Sequence, residues 1–348
     1  MPETGREGAA HCRPDDWRHM ATDRVTASAV ARAAGVSRAT VSYVMNPLNR
    51  YSVAESTRLK VLRVAAELGY APSMSARALR GKRELVLAIM PDWPVGQSLS
   101  RFLSTLTEEL RAHGLTILIR YANNEVADYE ILWRSLSPAA VLSFVEIDAD
   151  TIERAGREGV SVTTAFFDRA HASPNVISIP EDATGVMQVE FLVSTGRRTL
   201  AVAVPDDQRL AAFIQPRVHG VEEGCEVLGL ASPLRVVVPL ALEGSCSAVE
   251  ALLAAGIDGV CCYNDEVAIA LLAGARALGV KIPDQIAVIG VDDEPISALV
   301  VPALTTVRTD VEGSAVLIAN VLRANIDGRN LTSETAGPRG FVVVRDSA

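Results

Sequence analysis

The stretch V36-SRATVSYVMN-P47 opens on a serine suited to cap a helix and stops at a proline. Spacings of three and four place Val41, Val44 and Met45 on one face. Arg38, Ala39, Ser42, Tyr43 and Asn46 fall on the other, which carries no carboxylate. A solvated helix usually mixes charges, so an acid-free outward face suits a surface that approaches something negative. Upstream, Thr26 can cap a first helix running to Ala34, and Gly35 makes the turn into the second. Downstream, a third amphipathic helix is expected from Glu55 to Leu68, with Val61, Leu62, Ala65 and Leu68 inward and Gly69 as its stop. Helix, tight turn and short helix make a helix-turn-helix.

The net charge of -9 over 348 residues conceals a division. Residues 20–83 hold 11 Lys/Arg against 3 Asp/Glu, whereas residues 84–348 hold 19 against 35. A basic module on an acidic body is the footprint of a nucleic-acid-binding domain joined to a unit with another task.

Beyond Leu85 short apolar strands alternate with helical stretches. Strands are expected at 85–90, 116–120, 140–145, 160–166, 199–204, 259–263 and 286–291, and helices between them at 99–113, 247–255 and 265–278, among others. That alternation gives α/β parallel sheets, and its length favours two similar lobes with ligands beyond the carboxyl ends of strands. No apolar run reaches membrane-spanning length. Cys12, Cys225, Cys246, Cys261 and Cys262 form no metal-ligand spacing or CxxC pair, which fits a reducing, cytoplasmic setting. Residues 1–22 read as a disordered extension without the apolar core of a signal peptide, and Met20 as the natural start. No metal cluster, phosphate loop or nucleophile triad suggests an enzyme.

Taken together, VARAAGVSRATVSYVMN (30–46) and VLRVAAELGYAPSMSARALR (61–80) resemble the headpiece and hinge of the LacI/GalR family of bacterial transcription regulators. RVHG (217–220), CYNDEVA (262–268), IPDQIAVIGVDD (282–293) and PALTTVR (302–308) resemble family landmarks in the expected order. The resemblance implies an all-α helix-turn-helix headpiece (23–71), a hinge helix and linker (72–83), and a two-lobed, periplasmic-binding-protein-like body (84–348) for effector binding and dimerisation. It implies a homodimer bound to double-stranded palindromic operator DNA and controlled by a small-molecule effector such as a sugar. The competing reading is a solute-binding receptor, which a basic headpiece and the missing signal peptide oppose.

Roles follow residue by residue. Thr26, Ser37, Thr40, Ser42 and Asn46 offer short polar groups for phosphate oxygens, and Arg38, Ala39 and Tyr43 take the base-reading positions. Arg38 can fork onto guanine and Ala39 can meet a thymine methyl. Tyr43 departs from the arginine many family members carry there, and it alternatively braces the backbone without reading a base. In PSMSARALRGKR (72–83), Ser73 can cap a turn that presents Leu79 as a minor-groove wedge flanked by Arg77 and Arg80; alone, the segment also reads as a solvated linker. Arg217, Asn264 and Asp292 match effector-contact positions. Their alternatives are a surface helix arginine, a helix cap and a loop residue. The segment PDWPVGQSLSRF (91–102) breaks the family pattern and leaves Trp93 as its one candidate for stacking on an effector.

Overall fold

The computed structural model describes residues 25–45, 53–70, 83–122, 126–167, 176–179, 181–329 and 340–348, in two compact units that divide between Lys82 and Arg83. Asn46, Ser73, Arg77, Leu79, Arg80 and the N-terminal extension lie outside the described residues.

In the first unit, α1 (Ala27–Ala34) is capped by Thr26, whose Oγ1 accepts from the Ala29 N–H, and ends at Gly35 with φ of 64°. That left-handed conformation is where glycine costs least, and the Gly35 N–H closes the helix onto carbonyls of Ala31 and Arg32. The short α2 (Arg38–Val44) follows, then α3 (Glu55–Glu67). Val30, Ala31, Ala34, Val41, Val44, Val61, Val64 and Ala65 form their common core. The inward stripe of α3 differs from the expected one. Val64 is buried, while Leu62 and Leu68 are 37% and 38% exposed. A 61/64/65 stripe is the one that faces the small α1 residues; Leu62 lies beside it, and Leu68 is the C-cap, past the packed turns.

The second unit holds two sheets. Strands β1 (Leu85–Met90), β2 (Thr116–Tyr121), β3 (Ala140–Ser143), β4 (Ser161–Phe166) and β5 (Val176–Ser178) form an all-parallel sheet in the order β2-β1-β3-β4-β5. Helices α4 (Gln97–Ala112), α5 (Val126–Leu136) and α6 (Ala149–Arg157) are its crossovers. Every residue of β1 and β3 is buried, as strands covered on both faces require. The other sheet uses β6 (Leu200–Pro205), β7 (Leu234–Val238), β8 (Gly259–Cys262), β9 (Ala287–Val291), β10 (Thr305–Thr309) and β11 (Gly340–Val343), ordered β11-β10-β9-β8-β6-β7. Its helices include α7 (Asp182–Ser194), α8 (Ala211–Val227), α9 (Leu242–Ala254) and α10 (Asp265–Leu278).

Two features depart from a plain pair of similar lobes. Strand β11 runs antiparallel to β10 at one edge. Helix α11 (Val311–Ile326) leaves the second sheet and buries Ala315, Ile318, Ala319, Val321 and Leu322 in the core of the first, beside Val86, Ala88 and Phe102. The lobes are therefore tied by more than one chain crossing, and each is completed by a segment distant in sequence.

Arg83 belongs to the body rather than to the linker. Its guanidinium donates to the carbonyls of Gly159 at 2.6 Å and Glu158 at 2.9 Å, beyond the C-terminal end of α6, where a cation is favoured.

Candidate functional sites: a recognition helix and an interlobe cleft

On α2, the Ser37 Oγ accepts from the Thr40 N–H at 3.0 Å and lies 2.9 Å from the Thr40 hydroxyl. This cap fixes the start of a seven-residue helix, which would be marginal without tertiary support. Val41 and Val44 anchor it from beneath, so Arg38, Ala39 and Tyr43 stand exposed on the opposite face and Ser42 half-buried beside them. Tyr43 is 42% exposed. From Val25 to Ala54 the sequence contains no Asp or Glu, so nothing there repels a polyanion.

The second site lies in the body, where carboxyl ends of strands from both lobes meet around a cavity of about 230 Å³. The first lobe supplies Trp93 after β1, Phe144 after β3 and Phe167 after β4. The second supplies Phe213 and Arg217 on α8, Tyr263 and Asn264 after β8, and Asp292 after β9. All four effector-contact candidates line this one cavity.

Arg217 is buried although it sits inside a helix, because α7 and α8 approach closely. A Cβ on Gly220 would stand 1.9 Å from the Asp182 carbonyl oxygen, and one on Gly185 2.3 Å from that of Arg217, so only glycine fits at either position. The contact carries Arg217 to Glu181, immediately before α7. Its Nε donates to Glu181 at 2.9 Å, its Nη1 to the Tyr263 carbonyl at 2.7 Å, and its Nη2 lies 3.8 Å from Asp292. The guanidinium carbon is also 4.8 Å from the centre of the Tyr263 ring. Burial disfavours the Arg217 charge, but Glu181 and Asp292 more than offset this and hold it protonated above arginine's ordinary range. Burial likewise pushes the Tyr263 phenol up, against the opposing pull of Arg217.

Asp292 has φ of 104°, a conformation that side chains rarely adopt, and is held there by an N–H bond to the Val307 carbonyl and by Arg101, which donates to its own carbonyl at 3.2 Å. Behind it, Asp265 accepts from the hydroxyls of Ser297 and Thr306, each at 2.6 Å, and from the Glu294 N–H at 2.8 Å. Burial pushes the Asp265 carboxyl up to about 6 despite those bonds. Asn264 is a helix cap as well as a cavity residue. Its Oδ1 accepts from the Val267 N–H at 3.0 Å, which leaves its amide N–H groups for a ligand.

Trp93 does not stand alone. Its ring meets those of Phe144, Phe167 and Phe213 edge-on, with centroids 5.5, 5.4 and 4.8 Å apart. The aromatic surface missing from residues 91–102 is thus assembled from distant strand ends. Sequence reasoning missed Phe144, Phe167, Phe213, Glu181 and Glu294. The local signals that could have joined any of them to the site were the spacing of four between Phe213 and Arg217 and the place of Glu294 two residues after Asp292.

Residues 26–73 match the description "Bacterial regulatory proteins, lacI family", and residues 189–348 match "Periplasmic binding protein-like domain". The headpiece is a LacI-type DNA-binding domain, and the body a periplasmic-binding-protein-like one. The chain is 29% identical over 344 residues to the HTH-type transcriptional regulator GntR of Pseudomonas aeruginosa, covering 96% of this chain and 98% of that one. It is 26% identical over 293 residues to the HTH-type transcriptional regulator DegA of Bacillus subtilis, covering 81% and 86%. The fold matches a lac repressor dimer bound to operator and the anti-inducer ONPF, with a TM-score of 0.75, 20% identity and coverage of 93% and 99%. It also matches a complex of the transcriptional regulator CelR with cellobiose, at a TM-score of 0.65, 22% identity and coverage of 93% and 100%. These likenesses agree with a fold made of a helical headpiece and a two-lobed body.

Proposed function

We propose that the protein is a cytoplasmic transcriptional repressor that binds a palindromic operator as a homodimer and changes its affinity when a small molecule enters the interlobe cleft. The observation that carries this reading is the pairing of an exposed, acid-free helix face with a body whose cavity is lined from both lobes. A ligand touching both lobes changes their relation, and through the hinge the spacing of two headpieces. In this account Arg38, Ala39 and Tyr43 read base edges, the Ser37 end of α2 engages phosphate, and Leu79 enters the minor groove. Dimerisation is supported by exposed apolar residues between β9 and β10, where Leu299 and Val301 are 77% and 79% exposed. Among the described residues no helix is long and apolar enough to cross a membrane. A role as a transport receptor leaves the basic headpiece without a use.

Relatives with such headpieces carry names of transcriptional regulators and repressors, which supports regulation over catalysis. Chromatin mapping of bound genomic sites tests the proposal. Discrete sites sharing an inverted repeat are expected, and uniform low-level occupancy would overturn it.

A further inference from the structure

The cleft's charges are unbalanced in one direction. Glu181, Glu266, Asp292 and Glu294 line it, and Arg217 is the one cation among the described lining residues. Nearby Arg101 redresses this only in part: its charge reaches Glu294 but also faces Glu312 at 3.7 Å, outside the cleft lining. Both features that could receive an anion are already matched from within the protein. Arg217 gives its donors to Glu181 and the Tyr263 carbonyl and faces Asp292, while the N-terminus of α4, which has no side-chain cap of its own, has Glu294 beside it, where the Gln97 backbone favours that carboxylate's charge. An anionic ligand would have to displace a carboxylate from one of them. The same cavity is lined by the aromatic cluster of Trp93, Phe144, Phe167 and Phe213, whose apolar bulk and π systems suit a flat or aliphatic body and a nearby positive charge.

We infer that the effector is an organic cation, an amine carried on an apolar or aromatic body, with its charge toward Asp292, Glu266 and Glu294 and its body against the Trp93 wall. The inference rests on the effector-controlled function proposed for this same cleft and names the ligand's chemical class. Crowding of Glu294 agrees with it: burial, then the nearby Asp292 charge, pushes this carboxyl above its ordinary range, and a cation relieves that repulsion.

The test uses the full chain and four probes: 2-phenylethylamine, 2-phenylethanol and phenylacetate, which share a phenyl body and differ in charge, and glucose as a polyol. Isothermal titration should give the amine an affinity at least about tenfold above the alcohol, with no measurable binding of phenylacetate. Glu266→Gln and Glu294→Gln should each weaken the amine several-fold and leave the alcohol unchanged. Equal or tighter binding of the alcohol, any binding of phenylacetate, glucose binding without the amine, or no binding by all four probes overturns the inference. Fluorescence anisotropy with an operator duplex, run on the same preparation, reports the regulatory function separately. Specific DNA binding without amine binding sinks only the ligand class, whereas absence of specific DNA binding sinks the function.

Discussion

Replacing Arg217 by methionine removes a guanidinium whose side chain is 9% exposed and keeps most of its apolar stem. Two hydrogen bonds, at 2.9 and 2.7 Å, and the 3.8 Å pairing with Asp292 disappear together. Glu181 and Asp292, each 14% exposed, remain as charges in a poorly solvated site. Breaking a buried pair from one side typically costs about 3–5 kcal/mol, most of it the uncompensated charge left behind. Burial here is deep enough that solvent screening does not reduce this to the value of a surface pair. Urea unfolding should therefore show a midpoint lower by about 1–2 M at unchanged slope. Adding Glu181→Gln to Arg217→Met should restore part of the loss, on the order of 1–2 kcal/mol, because it removes one of the stranded charges. A loss below about 1 kcal/mol, or a double variant no better than the single, would refute the view that Arg217 neutralises this end of the cleft.

Three further outcomes follow from the geometry. Gly220→Ala places a Cβ 1.9 Å from a backbone oxygen of α7, so thermal melting should show a loss of at least about 1–3 kcal/mol although no cleft side chain is altered; an unchanged melt would contradict the close crossing. Asp265 has its folded pKa raised from 3.8 to about 6, so the folded state holds the extra proton and its contribution is full below about pH 4 and lost as pH rises through 6. Asp265→Asn should remove on the order of 3 kcal/mol of that pH dependence, and parallel wild-type and variant stability curves between pH 4 and 7 would contradict it. Tyr43→Arg should change the preferred base at one symmetric pair of operator positions; tighter binding with an identical site ranking would instead make Tyr43 a backbone brace.

What could be read from the chain beforehand follows the range of the interactions concerned. The caps at Thr26 and Ser37 and the turn at Gly35 are local, and they fixed α1 and α2 before any packing was known. The inward face of α3 was not local: Leu62 and Val64 both continue a plausible stripe from Val61, and only the position of α1 decides between them. Strands β1 and β9 were legible as continuous apolar runs buried on both faces. Strand β7, partly exposed at a sheet edge, and β11, paired antiparallel, lacked that signature. In the cleft, Arg217, Asn264 and Asp292 stood out because they sit in recognisable motifs. Glu181, Phe144 and Phe167 become cleft residues only when separate parts of the two lobes converge, which no spacing along the chain encodes.

In the proposed function this chain reads DNA sequence through paired α2 helices. Selection of bound duplexes from a random pool by the full-length protein tests it most directly. Enrichment of an inverted repeat with two equivalent half-sites is expected, together with affinity that falls steeply as salt is added. Enrichment of a lone half-site bound at full affinity, or recovery of the pool without any consensus, would contradict it.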